Sequence, residues 1–327
     1  MMPTADRRSV LKMSVAGTAA VLATPQIMVR TAHAQAPMAD VGNAGFHRFK
    51  LGGFEVTAIL DGSRPGDGPH PTFGEDQDAE AMAALLEENF LPAGRFVNSF
   101  TPTLVNTGSE LVLFDTGLGA AAREGGMGQL RARLEASGYS ADDVSVVVLT
   151  HFHGDHIGGV MEDGAPSFAN ARYVTGQAEY DFWTADERLS GATENSARAV
   201  QANVVPLAEK MTFLGDGDEV VPGISAMLAT GHTPGHMIFN LESEGKRLVL
   251  TADTANHYVA SLQRPDWHVR FDMDKDEAAA TRRRVFDMIA ADRIPFLGYH
   301  MPFPALGYAE PLDQGYRFVP VSYQMML

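Results

Sequence analysis

Runs of apolar residues predict β-strands in two separate parts of the chain. In the first part, strands are expected at residues 46–51, 54–60, 103–106, 111–114, 144–149 and 172–174. In the second part, they are expected at residues 224–228, 237–241, 248–250 and 296–299. The apolar run at residues 144–149 is typical of a strand that is buried on both faces.

Helical spacing of apolar residues predicts four helices between these strands. They are expected at residues 79–90, 129–137, 177–184 and 275–291, with loops at 64–78 and at the glycine-rich segment 117–128. In the first helix, Met82, Leu85, Leu86 and Phe90 recur at helical spacing. We interpret this apolar stripe as core packing, with a lid or a homodimer contact as the alternative.

The grouping of strands into two sets, each followed by helices, predicts the fold class. It favours an α/β fold with two sheets face to face and helices outside, rather than one doubly wound sheet. No linker long enough to separate two domains is apparent, so residues 35–327 are predicted to form a single domain.

Residues 1–34 differ from the rest of the chain and are predicted to be a signal peptide. Arg7 and Arg8 precede an uncharged stretch, and Ala32-His33-Ala34 supplies the small residues that a signal peptidase reads. The paired arginines resemble a twin-arginine signal. The uncharged stretch is shorter than the roughly 20 residues of a membrane span, which disfavours an anchor. The protein is therefore expected to be periplasmic or secreted.

The charge and the lack of cysteine exclude several classes of partner and site. The formal net charge of −16 becomes −19 once the four basic residues and one acidic residue of the signal are removed. Such a chain repels nucleic acid and anionic membranes. With no cysteine, thiolate ligands and disulfides are excluded, so a metal site would consist of imidazole and carboxylate groups.

The segment that follows the apolar strand at residues 144–149 is the main candidate for chemistry. It contains His151, His153, Asp155 and His156 within six residues, at the carboxyl end of a buried strand. Such a cluster is costly to bury unless it binds something. Neutral imidazole and carboxylate are zinc ligands, so we expect this loop to bind metal. The alternative, a histidine-rich surface loop, fits the preceding buried strand poorly.

Three further segments place a histidine or an aspartate at the end of a predicted strand. They are Gly231-His232-Thr233-Pro234-Gly235-His236, Thr251-Ala252-Asp253-Thr254 and Leu297-Gly298-Tyr299-His300. Each segment alone is a weak signal, but the four segments in this order are a strong one.

This pattern resembles the metallo-β-lactamase superfamily over nearly the whole chain after residue 34. The flanking sequences look closer to the methyl parathion hydrolases and the quorum-quenching lactonases. The similar stretches are residues 51–58, 105–109, 181–183 and 315–321. The resemblance implies an αββα sandwich of two mixed sheets, with the site at one edge.

The resemblance also implies a ligand set for two divalent metal ions, with zinc as the first choice. His151, His153 and His232 would bind the first ion; Asp155, His156 and His300 would bind the second; and Asp253 would bridge both. Manganese, cobalt or iron are also tolerated by such ligands. His236 lies in the same turn as His232 but has no ligand role in the family, so it is interpreted as a supporting residue.

The implied activity is hydrolysis by a hydroxide that bridges the two ions. Asp155 would hold the hydroxide and pass a proton to the leaving oxygen. Neutral esters or lactones, such as N-acyl-homoserine lactones or aryl esters, are the first choice of substrate. The alternatives are an organophosphate triester hydrolase, a periplasmic β-lactamase, which Asp253 disfavours, and a metal-dependent binding protein without turnover.

Trp183 is the one residue that the resemblance assigns to a substrate pocket. It matches an aromatic residue beside the leaving group in methyl parathion hydrolases, with an ordinary core tryptophan as the alternative. The chain departs from the organophosphate enzymes at residues 118–122 and 194–203, where their aromatic residues are missing. These departures favour lactone or ester hydrolysis.

Overall fold

The computed structural model describes residues 44–321 and 325–327, so the predicted signal peptide lies outside the described residues. The strands of the amino-terminal half are β1 (Phe46–Leu51), β2 (Phe54–Ile59), β3 (Gly62–Asp67), β4 (Arg95–Phe100), β5 (Thr103–Asn106), β6 (Leu111–Phe114), β7 (Val146–Leu149), β8 (Met161–Glu162), β9 (Ala165–Pro166), β10 (Arg172–Gly176) and β11 (Met211–Leu214). Those of the carboxyl-terminal half are β12 (Glu219–Val221), β13 (Ile224–Leu228), β14 (Met237–Ser243), β15 (Lys246–Ala252), β16 (Phe296–Gly298), β17 (Leu306–Pro311) and β18 (Tyr316–Pro320).

Helices alternate with these strands. The α-helices are α1 (Ala79–Glu88), α2 (Leu130–Ala136), α3 (Gly154–Ile157), α4 (Gln177–Thr184), α5 (Glu194–Asn203), α6 (Ala260–Gln263) and α7 (Lys275–Asp292). Short 3₁₀ helices cover Ala120–Gly125, Ala141–Asp143, Asp186–Leu189, Gly191–Thr193 and Val205–Lys210. None of the helices that the structure describes is both long enough and apolar enough to cross a membrane.

The strands form two mixed sheets of seven strands each. The first sheet has the order β1-β2-β5-β6-β7-β10-β11, and the second has the order β12-β13-β14-β15-β16-β17-β18. In the first sheet, β7 pairs in parallel with both β6 and β10. In the second sheet, β15 pairs in parallel with β16, and the other pairs are antiparallel.

The main core lies between the two sheets. Along β7, Val146 and Val148 face this core, whereas Val147 and Leu149 face the opposite side of the first sheet. Successive side chains of a strand point to opposite faces, so β7 is buried on both. Phe114 of the first sheet contacts Phe239 of the second, with ring centroids 5.1 Å apart.

Helices cover the outer faces of both sheets. Leu134 of α2 and Val200 of α5 pack in the cluster on the outer face of the first sheet. On the second sheet, Phe286 of α7 contacts Phe296 of β16 with ring centroids 5.1 Å apart. Two sheets inside and helices outside confirm the αββα arrangement that the sequence predicted.

One predicted loop is partly a strand, and one polar stretch without a predicted element is a helix. The predicted loop 64–78 overlaps β3, which pairs with β4 over the whole range of both strands. β3 contains Gly62, Pro65 and Gly66, residues that are unfavourable in a central strand but tolerated in a two-stranded ribbon with free edges. The polar stretch Glu194–Asn203 is the amphipathic helix α5, which buries Ala197 and Val200.

The ends of three strands lie at one edge of the sandwich. His151 follows the end of β7, Asp253 follows the end of β15, and His300 follows the end of β16 by two residues. The loop that carries His232 follows β13. The fold therefore brings segments that are far apart in the sequence to one place.

Candidate metal centre

Three histidines form the first cluster at this edge. His151 Nε2 lies 3.1 Å from His153 Nδ1, and His232 Nε2 lies 3.0 Å from the same atom of His153. Three imidazole nitrogens therefore converge on one point, and each can offer a lone pair to a cation there.

An aspartate and two histidines form the second cluster. Asp155 Oδ2 lies 3.6 Å from His156 Nε2 and 3.5 Å from His300 Nε2. His156 and His300 are buried, whereas the side chain of Asp155 is 22% exposed. Asp155 is therefore the member of this cluster that faces the solvent side.

Asp253 lies between the two clusters and contacts both. Its Oδ2 atom is 3.3 Å from His232 Nε2 and 2.9 Å from His300 Nε2, and its Oδ1 atom is 3.1 Å from His156 Nε2. His151 Nε2 lies 4.0 Å from Oδ2. The structure thus brings together all seven side chains that the sequence singled out as ligands.

The electrostatic balance in these clusters differs between histidines. Burial lowers the pKa of His153 to about 3 and lowers the pKa of His151 well below its ordinary value. Burial acts in the same direction on His232, but hydrogen bonds with Asp253 and Asp272 prevail and raise its pKa to about 9. For His156 too, burial is outweighed by carboxylates, Asp253 first, which raise its pKa well above the ordinary value.

The residues present fit a pair of divalent cations. Two buried polar atoms, His156 Nε2 and Asp253 Oδ1, face each other without a hydrogen bond to any residue that the structure describes. The pKa of Asp253 is held well below its ordinary value, despite burial, by His300 and His156. A buried carboxylate surrounded by imidazoles with free nitrogens is a donor set that suits zinc.

Asp115 is a supporting residue that the sequence analysis missed. Its carboxylate accepts hydrogen bonds from the backbone N–H and hydroxyl of Thr150 at 2.8 and 2.9 Å. Its Oδ2 atom also lies 2.8 Å from His156 Nδ1, so it orients the ring whose Nε2 atom faces Asp253. The backbone of Asp115 has a φ of 61°, a strained conformation of a kind that clusters at functional sites. Asp115 directly follows the end of β6, as Asp253 directly follows the end of β15. This position at a strand end is the sequence feature that could have identified it.

Asp272 is a second missed residue and supports His232. Its Oδ1 atom lies 2.8 Å from His232 Nδ1, and its Oδ2 atom accepts a hydrogen bond from the buried Arg282 at 2.8 Å. Histidine ligands commonly bind a carboxylate through the second ring nitrogen, which fixes the ring orientation. Asp272 lies in a loop without a recognisable motif, so this role could not be predicted from the sequence.

Glu179 is a third missed residue and joins two ligand loops. Its Oε1 atom accepts from the backbone N–H of Phe152, between His151 and His153, at 2.9 Å. Its Oε2 atom accepts from the Thr233 hydroxyl at 2.7 Å and from the Gly235 N–H at 3.0 Å, both in the loop of His232. One buried carboxylate therefore fixes the spacing of these two loops.

Trp183 lies behind the ligand loops and does not line the cavity over the ligands. It is 2% exposed and donates its indole N–H to Glu179 Oε1 at 2.8 Å. Because Glu179 and Trp183 are one helical turn apart on α4, the ring packs inward next to the carboxylate. The structure thus places Trp183 in the core behind His153, with ring centroids 6.4 Å apart, as the alternative interpretation of a core tryptophan expects.

His236 and Asn256 hold Asp253 in position. Asp253 donates its backbone N–H to His236 Nε2 at 3.1 Å, and His236 Nδ1 lies 2.9 Å from the carbonyl oxygen of Ala229. Asn256 Nδ2 donates to Asp253 Oδ2 at 2.9 Å. His236 therefore occupies the supporting position that the sequence analysis expected, away from the converging ligand atoms.

A cavity of about 340 Å³ opens directly over the two clusters. The ligand side chains on its floor are His153, Asp155, His232, Asp253 and His300. Its walls include Arg64, Asn98, Phe100, Leu118 and Phe271. A small molecule in this cavity would contact both clusters at once.

The sequence is similar to a known family and to several known proteins. The sequence model of the metallo-beta-lactamase superfamily matches residues 100–295. An N-acyl homoserine lactonase from Bacillus sp is 27% identical over 167 residues, which cover 51% of this chain and 60% of that relative. The lactamase-like protein adaB from Aspergillus niger is 30% identical over 170 residues, 52% of this chain and 43% of that protein. The matches thus span less than two thirds of these curated relatives.

Two solved structures resemble the whole described fold. AidC, described as a dizinc quorum-quenching lactonase in complex with a product N-hexanoyl-L-homoserine, is 28% identical with a TM-score of 0.75, over 86% of this chain and 98% of that chain. AbOPH, described as a hydrolase in the beta lactamase superfamily, is 26% identical with a TM-score of 0.79, over 87% of this chain and 100% of that chain.

Proposed function

This chain belongs to the metallo-β-lactamase superfamily, and from that premise we propose that it is a hydrolase with two divalent metal ions that opens lactones or other neutral esters. N-acyl-homoserine lactones are the first substrate class to test, because one similar protein is described as an N-acyl homoserine lactonase and another as a quorum-quenching lactonase in complex with a product, N-hexanoyl-L-homoserine. Zinc is the proposed metal, in view of the dizinc neighbour and the imidazole-rich donor set.

The observation that carries this proposal is the position of Asp253 between two clusters of ligand atoms. His151, His153 and His232 would hold one ion, and Asp155, His156 and His300 the other. Both oxygens of Asp253 face histidines, Oδ1 towards His156 and Oδ2 towards His300 and His232. A single carboxylate in this position would be shared by both ions.

When bound, two such ions polarise a substrate carbonyl and lower the pKa of the water that attacks it. Asp155 is placed to transfer protons, because its side chain is partly exposed on the cavity floor. Its carboxylate can accept the proton of the attacking water and deliver it to the leaving alkoxide, as a general acid–base catalyst does. Asp155 would therefore act both as a ligand and as the proton carrier.

The charge of the protein favours a neutral substrate. A formal net charge of −16 disfavours the approach of highly anionic molecules. A lactone or aryl ester is neutral and becomes anionic only when it is hydrolysed. Electrostatic repulsion would then assist the release of the carboxylate product.

A substrate panel with metal analysis tests the proposed function. Hydrolysis of acyl-homoserine lactones, a nitrophenyl ester, a nitrophenyl organophosphate and a β-lactam would be measured with and without a chelator. We expect lactones or esters to be the best substrates, and the chelator to abolish turnover. Chelator-resistant turnover, or metal binding without any turnover, would contradict the proposal.

Substitution of two proposed ligand residues tests the ligand assignment. We expect Asp253→Ala and His232→Ala to abolish activity and to lower the amount of bound metal. Asp313→Asn, at an exposed aspartate in the turn between β17 and β18, serves as the control and should leave both unchanged. Full activity with unchanged metal content in either alanine variant would refute the ligand assignment.

A further inference from the structure

A second cavity lies beside the metal centre and is mostly apolar. It has a volume of about 470 Å³ and shares His300 with the cavity over the metal ligands. Its apolar walls come from the β3–β4 ribbon, α1 and the segment after it, and residues 302–303, and they include Pro65, Leu86, Leu91, Phe96, Val97 and Phe303. An apolar chain attached to a group at the metal centre would be well accommodated here.

The Nε2 side of the His257 ring is the feature of this cavity that the fold alone does not require. Its Nδ1 atom accepts hydrogen bonds from the backbone N–H groups of Val259 and Ala260 at 3.1 and 3.0 Å, at the start of α6. A nitrogen that accepts two hydrogen bonds carries no proton, so in the neutral ring the proton is on Nε2. Burial lowers the pKa of His257 to about 4, so the ring is neutral at physiological pH.

The Nε2–H group has no hydrogen-bond partner within the part of the chain that the structure describes. The Nε2 atom is accessible to solvent, although the residue as a whole is only 6% exposed. Because the small exposed part of His257 includes this donor and the residue lines the apolar cavity, the donor is accessible from the cavity. Tyr258 stacks on the ring at 5.2 Å with an interplanar angle of 10°, and Phe73 contacts it at 5.0 Å, so the ring is fixed.

We propose that His257 is a specificity residue that donates its Nε2–H to an oxygen atom on the acyl chain of the substrate. This inference rests on the proposed function, because it assumes that the ester group lies at the metal centre. His257 lines the apolar cavity but not the cavity over the metal ligands. The bonded oxygen is therefore one further along the chain than the carbonyl next to the lactone ring, such as a 3-oxo group.

A fixed donor in an apolar wall discriminates between chains with and without an acceptor. A neutral hydrogen bond contributes a factor of about 2 to 10 in affinity. A chain without the oxygen leaves the donor unpaired in the cavity, which adds to the difference. The enzyme should thus prefer 3-oxo-acyl compounds to plain acyl compounds of equal length.

Two substitutions test the roles of the two ring nitrogens of His257 separately. In His257→Asn, the side-chain oxygen can replace Nδ1 as the acceptor for the start of α6, but the donor no longer reaches the cavity. In His257→Gln, the amide can replace Nε2 as the donor, but the acceptor at the helix start is lost. His257→Asn should keep the thermal stability of wild type and lose the preference for 3-oxo-acyl compounds. His257→Gln should lose stability and keep that preference.

The probes are N-octanoyl-L-homoserine and N-(3-oxooctanoyl)-L-homoserine. Their dissociation constants for the metal-loaded enzyme are measured by calorimetry. We expect wild type to bind the 3-oxo compound about 2- to 10-fold more tightly, His257→Asn to bind both equally, and His257→Gln to retain the preference. Equal binding of the two compounds by wild type, or an unchanged preference in His257→Asn, would overturn the assignment.

Turnover of the two parent lactones distinguishes this inference from the proposed function. If wild type hydrolyses neither lactone, the proposed function fails, but the ratio of the dissociation constants still decides the role of His257. If wild type hydrolyses both lactones but binds the two acyl-homoserines with equal affinity, only the role of His257 fails. Failure to bind either compound would overturn the role of His257, whereas turnover of the lactones decides the proposed function.

Discussion

Individual residues at this site fall into those that converge on a cation and those that hold them in place. Asp115, Asp272 and Glu179 each bind a ligand histidine or a ligand loop from behind, at hydrogen-bond distances. Such outer partners fix the ring orientation and the tautomer of a histidine ligand. The affinity for metal should therefore depend on residues that never contact the ion.

Asp272→Asn tests this dependence at one residue. Asparagine has one acceptor oxygen and no charge, so it cannot serve both His232 and Arg282, and Arg282 is left buried without its ion partner. We expect metal affinity to fall by about 10- to 100-fold, measured by competition with a fluorescent chelator. Asp266→Asn, which removes an exposed partner of Arg283, is the control. An unchanged affinity in Asp272→Asn would show that the partner of His232 is dispensable.

The ligand residues were predictable from the sequence, whereas most of their partners were not. His151, His153, Asp155 and His156 are adjacent in the sequence, and the other three ligands follow strand ends. Asp272 and Glu179 have no such signal, since their role depends on which loops the fold brings together. For Trp183, the resemblance gives a position along a helix but not the direction of the ring, which the hydrogen bond to Glu179 determines.

At the level of elements, the strands β1, β5, β6 and β13 have the bounds that the sequence predicted. β7 and β15 were also predicted, with bounds that differ by two residues, because strands in the interior of a sheet are buried on both faces and therefore rich in apolar residues. β3 and β18 were missed because they are edge strands with polar or glycine- and proline-rich sequences. Their pairing partners, not their own composition, determine their conformation.

Glu179→Gln tests the connection between elements. The amide NH₂ of glutamine would face N–H or O–H donors that now bind a carboxylate oxygen. We expect the free energy of unfolding to fall by about 1–3 kcal/mol, with weaker metal binding, as measured by denaturation and metal titration. Glu194→Gln, at an exposed pair on α5, should change neither. A stable variant with full metal affinity would show that the two loops do not depend on this carboxylate.

At the level of the whole molecule, stability should depend on bound metal. The described residues contain no disulfide, and seven ionisable side chains that could hold metal converge at one site. Ions that bind only the folded state stabilise it, by about 4 kcal/mol at a thousandfold excess over Kd.

Removal of metal tests this dependence. One kcal/mol shifts the Tm of a domain of this size by about 2–4 °C, so a chelator should lower Tm by about 10 °C. Zinc added back should restore both Tm and turnover, as measured by calorimetry and by lactone hydrolysis. A Tm that does not change on removal of all bound metal would contradict a structural role for the ions.

Export is a separate prediction for the whole molecule. We propose that the chain is exported by the twin-arginine-type signal predicted at residues 1–34. Arg7→Lys together with Arg8→Lys should retain the protein in the cytoplasm, whereas substitution of Lys12 by Arg should not. Cell fractionation and immunoblotting would measure this, and undiminished export of the double variant would exclude that route.

The central claim is that two ions share Asp253, and anomalous diffraction from crystals of the zinc-loaded protein tests it most directly. Two zinc peaks are predicted, one beside His151, His153 and His232 and one beside Asp155, His156 and His300, with Asp253 coordinated to both. A single peak, or two peaks of which one does not contact Asp253, would contradict it.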